Sequence, residues 1–354
     1  MTDWFEEKLK KYASLSGYQK PSIHTDSTKM DSNENFVINY EFQNEIISAA
    51  KKGSDIRQYP LNDAQQLTQA IAEYLNIDES MIGLGNGSDQ ILDLILTNFA
   101  SKDTPVLLSR PTFTFFEDRC KLYSIPTIPI DFNDNMVLEI KQFIAQASKA
   151  KILYLDTPNN PTGFQFERDE LEKLIKQFSG LIIIDEAYSE FSKYSIIDLV
   201  NEHKNLIVVK TFSKAFGLAG LRLGYLIANK TFTDTFTRVI QYPYPLSTIS
   251  IKAGIHALKK TDVVNASINI IQQERERVIQ NLKQYDFFKV YNSQANFVLF
   301  DAGDSAKRIY DALMEQGISV RKFDLDSLAN CLRVTIGTKE MNSKFLLAIR
   351  NLLE

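Results

Sequence analysis

The chain is poor in the residues that would tie it to several large classes of protein. Of its 354 residues only two are cysteine, Cys120 and Cys331, far apart and outside any CxxC pair. That offers neither a disulfide scaffold nor a cysteine metal framework, and it suits a reducing compartment. The three histidines, His24, His203 and His256, stand alone without ligand spacing, so surface or structural roles are expected and no metal. No apolar run approaches the length that spans a bilayer. The opening Met1-Thr2-Asp3-Trp4-Phe5-Glu6-Glu7-Lys8 is charged rather than signal-like, so a soluble, cytoplasmic protein is expected. Positive charge is not in excess either: the net charge is −4, which argues against nucleic acid or an anionic membrane as partner. The sequence shows no internal repeat, low-complexity tract or linker.

What is present is the balance of a globular protein, 44% hydrophobic and 24% charged residues, with length enough for one large domain and a smaller one. Through the middle of the chain one theme repeats: an apolar run ends in a polar or glycine-rich turn, usually followed by a helix-like segment. Met81 to Leu84 leads into Gly85-Asn86-Gly87-Ser88-Asp89, and Pro105 to Leu108 leads into Arg110-Pro111-Thr112-Phe113. Ile152 to Leu155 leads into Asp156-Thr157-Pro158-Asn159-Asn160-Pro161-Thr162-Gly163, and Leu181 to Ile184 leads into Asp185-Glu186-Ala187-Tyr188. Near-continuous apolar strands alternating with helices predict an α/β fold with a mostly parallel sheet covered on both faces. In such sheets ligands bind beyond the carboxyl ends of the strands, where all these turns lie. After about Tyr244 the pattern becomes α+β. A long helix carries Glu274-Arg275-Glu276-Arg277 on an expected solvated face, followed by strands at 296–300, 318–321 and 331–335. The expected division is a large domain over 45–248 and a small one formed by 1–44 and 249–354, with an N-terminal arm.

The most informative stretch is Thr211-Phe212-Ser213-Lys214-Ala215-Phe216-Gly217-Leu218-Ala219-Gly220-Leu221-Arg222, a small-residue loop between two apolar segments. A lysine held there can form an imine if an aldehyde cofactor lies beside it. A pyridine-type cofactor bearing a phosphate would also need a buried carboxylate for its ring nitrogen, and Asp185 stands where an apolar strand runs out. Alone, Asp185 reads equally as a strand-end or helix-cap residue. Asn160 and Tyr188 could donate to the ring oxygen, although the Pro-Asn-Asn-Pro turn is by itself only a good β-turn. For the phosphate there are Ser88 and Asp89 opening a helix, with Ser213 and Arg222 flanking the lysine. The turn at Gly85 lacks the third glycine of a dinucleotide site, and no Gly-Lys-Ser/Thr follows to make a P-loop.

Taken in order, Gly-Ser-Asp, Asn-Asn-Pro-Thr-Gly, Asp-Glu-Ala-Tyr and Thr-Phe-Ser-Lys-Ala-Phe-Gly-Leu-Ala-Gly-Leu-Arg resemble the fold-type-I pyridoxal-phosphate aminotransferases, most closely their histidinol-phosphate branch. The resemblance spans essentially the whole chain. It implies a large domain with a seven-stranded type of sheet, and Lys214 as the residue that bonds pyridoxal 5′-phosphate and moves the proton. It implies Asp185 at the ring nitrogen, Asn160 and Tyr188 at the ring oxygen, and Phe113 stacked on the ring where relatives often carry tyrosine. Ser88, Asp89 (largely through backbone N–H groups), Ser213 and Arg222 would hold the phosphate, with Tyr59 reaching it from the neighbouring subunit of a homodimer. Arg333 is the expected carboxylate and phosphate anchor for the substrate, joined by Arg321, Tyr18, Asn33 and Asn35. Gln90 and Phe36 depart from the glutamate and proline common at their positions. The implied reaction is transamination between L-histidinol phosphate and 2-oxoglutarate, in histidine biosynthesis. The alternatives are an aromatic amino-acid aminotransferase, a threonine-phosphate decarboxylase, or a protein with a vestigial site.

Overall fold

The structure, a computed structural model, describes residues 3–15, 27–52, 54–60 and 62–354. Thirteen strands occur among them: β1 (Thr28–Lys29), β2 (Ile82–Asn86), β3 (Val106–Arg110), β4 (Thr127–Asp131), β5 (Ile152–Asp156), β6 (Leu181–Asp185), β7 (Leu206–Thr211), β8 (Leu223–Ile227), β9 (Lys289–Val290), β10 (Phe297–Asp301), β11 (Ile318–Ser319), β12 (Arg321–Lys322) and β13 (Cys331–Thr335). Seven form one sheet in the order β2-β8-β7-β6-β5-β3-β4. The pairs from β7 through β4 are parallel, and β8 runs antiparallel to both β7 and β2. The expectation of a mostly parallel α/β sheet is met.

Burial on both faces explains the continuous apolar runs. Successive side chains of a strand point to opposite faces. Accordingly Leu153, Leu155, Ile182, Ile184, Leu206 and Val208 enter one core, with Leu171 and Leu174 of the helix Arg168–Gln177. Ile152, Tyr154, Ile183, Ile207 and Val209 enter a second, under Ile91, Leu92 and Ile95 of the helix Gly87–Phe99. Burying a side chain of this kind is worth about 2 kcal/mol, so each strand is fixed from both sides.

A four-stranded antiparallel sheet, β12-β13-β10-β9, lies later in the chain, and β1 pairs in parallel with β11. The predicted strand 318–321 is therefore split. Ile318 and Ser319 pair with Thr28 and Lys29, whereas Arg321 and Lys322 pair with Arg333 and Leu332. The run at 274–277 also departs from expectation, because helix periodicity turns its first half inward. Glu274 and Arg275 are buried; Arg275 donates to Ala295 O at 2.9 Å and Glu274 accepts from Asn342 Nδ2 at 2.9 Å. The opening segment is a helix of three turns, Asp3–Ala13.

Candidate active site

The carboxyl ends of β2, β3, β5, β6 and β7, with the amino end of antiparallel β8, converge on a cavity of about 240 Å³. It is bordered by Ser88, Asp89, Phe113, Asn160, Asp185, Tyr188, Ser213, Lys214, Arg222, Arg321, Arg333 and Asn33. These residues come from eight separate stretches of chain. The fold brings most of them together because the loops of the seven-stranded sheet leave one edge of it, while Asn33, Arg321 and Arg333 come from segments outside that sheet.

Lys214 follows β7 by three residues. Its Nζ donates to Ser32 O at 3.0 Å and lies 5.6 Å from the centre of the Tyr188 ring. Asn35 does not border the cavity as expected. Its amide donates to Ala215 O at 2.8 Å and to Ser267 Oγ at 3.0 Å, so it pins the loop that carries the lysine.

Asp185 ends β6, buried. Ala187 N donates to its Oδ1 at 3.0 Å and Tyr154 Oη to its Oδ2 at 3.3 Å. Burial, reinforced by the neighbouring Asp156, pushes its carboxyl up to about 7. Tyr188 is pushed up to about 12, by burial above all, so it keeps its proton at neutral pH. Its Oη accepts from Asn33 Nδ2 at 2.9 Å, which leaves the phenolic hydrogen directed elsewhere. Arg333 Nη1 donates to Asn160 Oδ1 at 2.5 Å and thereby orients the Asn160 amide nitrogen as a donor.

Another part of the cavity lining collects anion-binding groups. Helix Gly87–Phe99 begins there with its free N–H groups. Gly87 has φ +75°, and a Cβ on it would come within 2.5 Å of Arg222 Nη2; only glycine lets the guanidinium lie so close to the helix start. Arg222 donates to Asp89 Oδ2 at 2.7 Å and to Ser213 Oγ at 3.4 Å. Asp89 thus engages the site through its side chain as well as its position. Arg321 and Arg333 stand opposite one another on β12 and β13, and Phe323 and Leu325 add an apolar wall beside them.

Besides Asn35, two predicted residues are not in this group. Tyr59 is 71% exposed and stacks on Tyr244, ring centres 4.3 Å apart, away from its own chain's cavity. Tyr18 lies outside the described residues. The sequence reading missed Asp31, Ser32, Thr112, Asp156, Thr211, Phe323 and Leu325, all of which border the cavity. For Asp156 a signal existed, an acid at the last position of an apolar strand, as at Asp185.

Residues 26–349 match the family model described as aminotransferase class I and II. A histidinol-phosphate aminotransferase of Thermoanaerobacter pseudethanolicus is 34% identical over 347 residues, covering 96% of this chain and 97% of that protein. Among solved structures, histidinol-phosphate aminotransferase from Sinorhizobium meliloti, in complex with pyridoxal-5′-phosphate, aligns with a TM-score of 0.85 at 23% identity over 97% of each chain. The L-threonine-O-3-phosphate decarboxylase from Porphyromonas gingivalis aligns with a TM-score of 0.79 at 23% identity, over 92% of this chain and 99% of that one. At such identities the two structures establish the fold, and the same fold serves two reactions.

Proposed function

The chain belongs to the aminotransferase class I and II family, and on that footing we propose that it transfers an amino group between L-histidinol phosphate and 2-oxoglutarate, with pyridoxal 5′-phosphate as cofactor, in histidine biosynthesis. The observation that carries this reading is one cavity holding a lysine amine, a buried carboxylate without an ion pair among the described residues, an anion-binding end and two facing arginines.

The residues fit the cofactor. Asp185, raised to about 7 by burial and Asp156, gains a partner when a protonated ring nitrogen lies against it. Ser88, Asp89, Ser213 and Arg222 suit a phosphate. Tyr188 Oη and the Asn160 amide offer two donors to a ring oxygen, and Phe113 offers a flat apolar cover. Bound there, the cofactor supplies a carbonyl that captures amines and an electron sink for the carbanion at substrate Cα.

The chain's own residues do the rest. Lys214 Nζ takes the proton from substrate Cα, and Asp185 keeps the ring nitrogen protonated. Arg333 and Arg321 bind the acid group of either substrate, a carboxylate or a phosphate monoester. Both half-reactions use this one site, so ping-pong kinetics are expected.

A homodimer completes the reading. Tyr59, Tyr242 and Tyr244 are exposed, and the last two border an apolar groove, a surface suited to cover by a second copy that receives Tyr59 at its phosphate end. Sedimentation of a lone monomer at working concentration would sink that part. No helix among the described residues is long and apolar enough to cross a membrane, and both cysteines are free, which supports a cytoplasmic location.

The test is the half-reaction: histidinol phosphate, phenylalanine and threonine phosphate are each added to cofactor-loaded protein while its visible absorbance is followed. Rapid bleaching by histidinol phosphate is expected. Strong bleaching by phenylalanine alone transfers the assignment to aromatic substrates, whose ring the wall of Phe323 and Leu325 also accepts. Lys214→Ala should lower kcat at least about a thousandfold while retaining cofactor through the phosphate contacts.

A further inference from the structure

We propose that Asp156 is a positioning residue: its single carboxylate suspends two walls of the cavity, Phe113 and Asn160, from the end of β5. The inference rests on the function proposed above, because its purpose is to hold those walls around the cofactor ring.

Asp156 is the last residue of β5 and lies in register with Asp185 on β6. It is 5% exposed and borders the cavity. Its two oxygens divide their partners. Oδ1 accepts from Thr112 Oγ1 and from Asn159 Nδ2, each at 2.8 Å. Oδ2 accepts from two backbone groups, Asn160 N at 2.8 Å and Phe113 N at 3.2 Å. Phe113 belongs to the loop after β3, and Asn160 to the loop after β5. Neither residue lies in a strand, so no sheet bond fixes either of them.

A buried carboxylate is costly, and burial does push Asp156 up to about 6. The donors from Asn160, Thr112 and Asn159 pull it back, so that it is ionised at neutral pH. A group of four donors on one acid, half of them backbone amides of cavity-lining residues, is more than a strand end requires. A loop turn alone would be satisfied by the Asn159 bonds already present: Asn159 Nδ2 also donates to Pro111 O at 3.1 Å, and Asn159 Oδ1 accepts from Thr162 Oγ1 at 2.7 Å.

The test measures the pyridoxal phosphate dissociation constant of cofactor-free protein, alongside its thermal midpoint. Asp156→Ala removes all four bonds and should raise the constant at least about tenfold. Asp156→Asn should recover it in part, to within about fivefold, because a carbonyl oxygen turned toward Phe113 N and Asn160 N keeps both walls while its amide nitrogen meets the Asn159 Nδ2 donor. Thr112→Val, which touches only Oδ1, should also stay within about threefold. An Asp156→Ala protein that melts lower yet binds the cofactor like wild type overturns the proposal. So does an Asn variant as weak as Ala, which would make charge rather than position the cause. If the Ala variant does not fold, a tenfold loss in either the Asn or the Thr112→Val protein overturns it equally, and retention in both supports it. Wild-type protein that binds no pyridoxal phosphate would instead sink the proposed function.

Discussion

On one face of the seven-stranded sheet, under the helix Gly87–Phe99, Asp156 and Asp185 end neighbouring strands and border the cavity. On the other face, in line with Leu206 and Val208, Lys210 is just as deeply buried but sits between two acids. Its Nζ is 3.1 Å from Glu186 Oε2 and 3.0 Å from Glu190 Oε1, and it also bonds Ser189 Oγ. Glu186 is tied further by Ser195 Oγ at 2.5 Å and Ile196 N at 2.8 Å. Asp185 and Glu186 are adjacent in sequence, yet one is left to meet a cation from outside and the other has its cation built in. Ligand affinity is kept on the face where the buried acids lack a built-in cation, and rigidity on the face where they have one.

The sharpest way to break the contrast is to remove the built-in cation. Lys210→Met leaves two carboxylates buried without one, and should destabilise the protein by about 3–5 kcal/mol. Burial alone would lower the lysine's affinity for its proton, but Glu190 and Glu186 outweigh it and raise it above the ordinary lysine range. The pair's contribution is therefore complete at neutral pH and fades only in strongly alkaline solution. Denaturant unfolding of cofactor-free protein measures the loss. The folded fraction should bind pyridoxal phosphate within about threefold of wild type, since Lys210 does not border the cavity. A variant as stable as wild type would show that the cluster is not what holds this face.

Removing an acid that lacks a built-in cation should act in the opposite direction. With a carboxyl raised from the ordinary range near 4 to about 7, the folded chain keeps a proton that the unfolded chain releases. Stability therefore falls as pH rises from about 4 to about 7, and the whole deficit is present above that. Asp185→Asn abolishes this term. A shift of that size is worth roughly 4 kcal/mol, but the new amide faces the Tyr154 hydroxyl and forces it to turn, a cost of about 2 kcal/mol at any pH, so a net gain of about 2 kcal/mol is expected at pH 8 and a net loss of up to about 2 kcal/mol at pH 4. Cofactor affinity should fall at the same time, because the ring nitrogen loses its counter-charge. Thermal midpoints of cofactor-free protein at the two pH values decide it; equal shifts at both would exclude the linkage.

How much of this contrast was legible before folding depends on how local its cause is. The strands β5, β6 and β7 could be read because burial on both faces demands continuous apolar runs, and the catalytic-type residues stood out because they interrupt those runs at their ends. Strand β4 was missed: it is an edge strand, partly buried, with Pro129 within it, which only an edge tolerates. The pairing of β1 with β11 and the bond from Asn35 to Ser267 join residues more than 200 positions apart, and no local pattern encodes them. The run Glu274-Arg275-Glu276-Arg277 looked solvated because charge is normally outside, but the partners that bury half of it, Ala295 and Asn342, come from distant segments. Lys210 went unnoticed for the same reason. Within its strand it is one polar residue among β-branched neighbours, and only the fold supplies both glutamates.

The smallest expected effect probes whether the face with the built-in cation needs both acids. Glu190 Oε1 meets Lys210, but its Oε2 is buried without a hydrogen-bond partner among the described residues. Two carboxylates on one ammonium leave a surplus negative charge, whose repulsion offsets part of the attraction. In Glu190→Gln the lysine keeps Glu186 and loses a charged bond, while the repulsion between the acids disappears. The two changes oppose each other, so a destabilisation of under about 1 kcal/mol is expected. Denaturant midpoints, compared with those of Lys210→Met, measure it. A loss as large as that of Lys210→Met would mean that the second acid is an equal partner, and the balance on this face would then be a three-body network rather than one ion pair with a spectator.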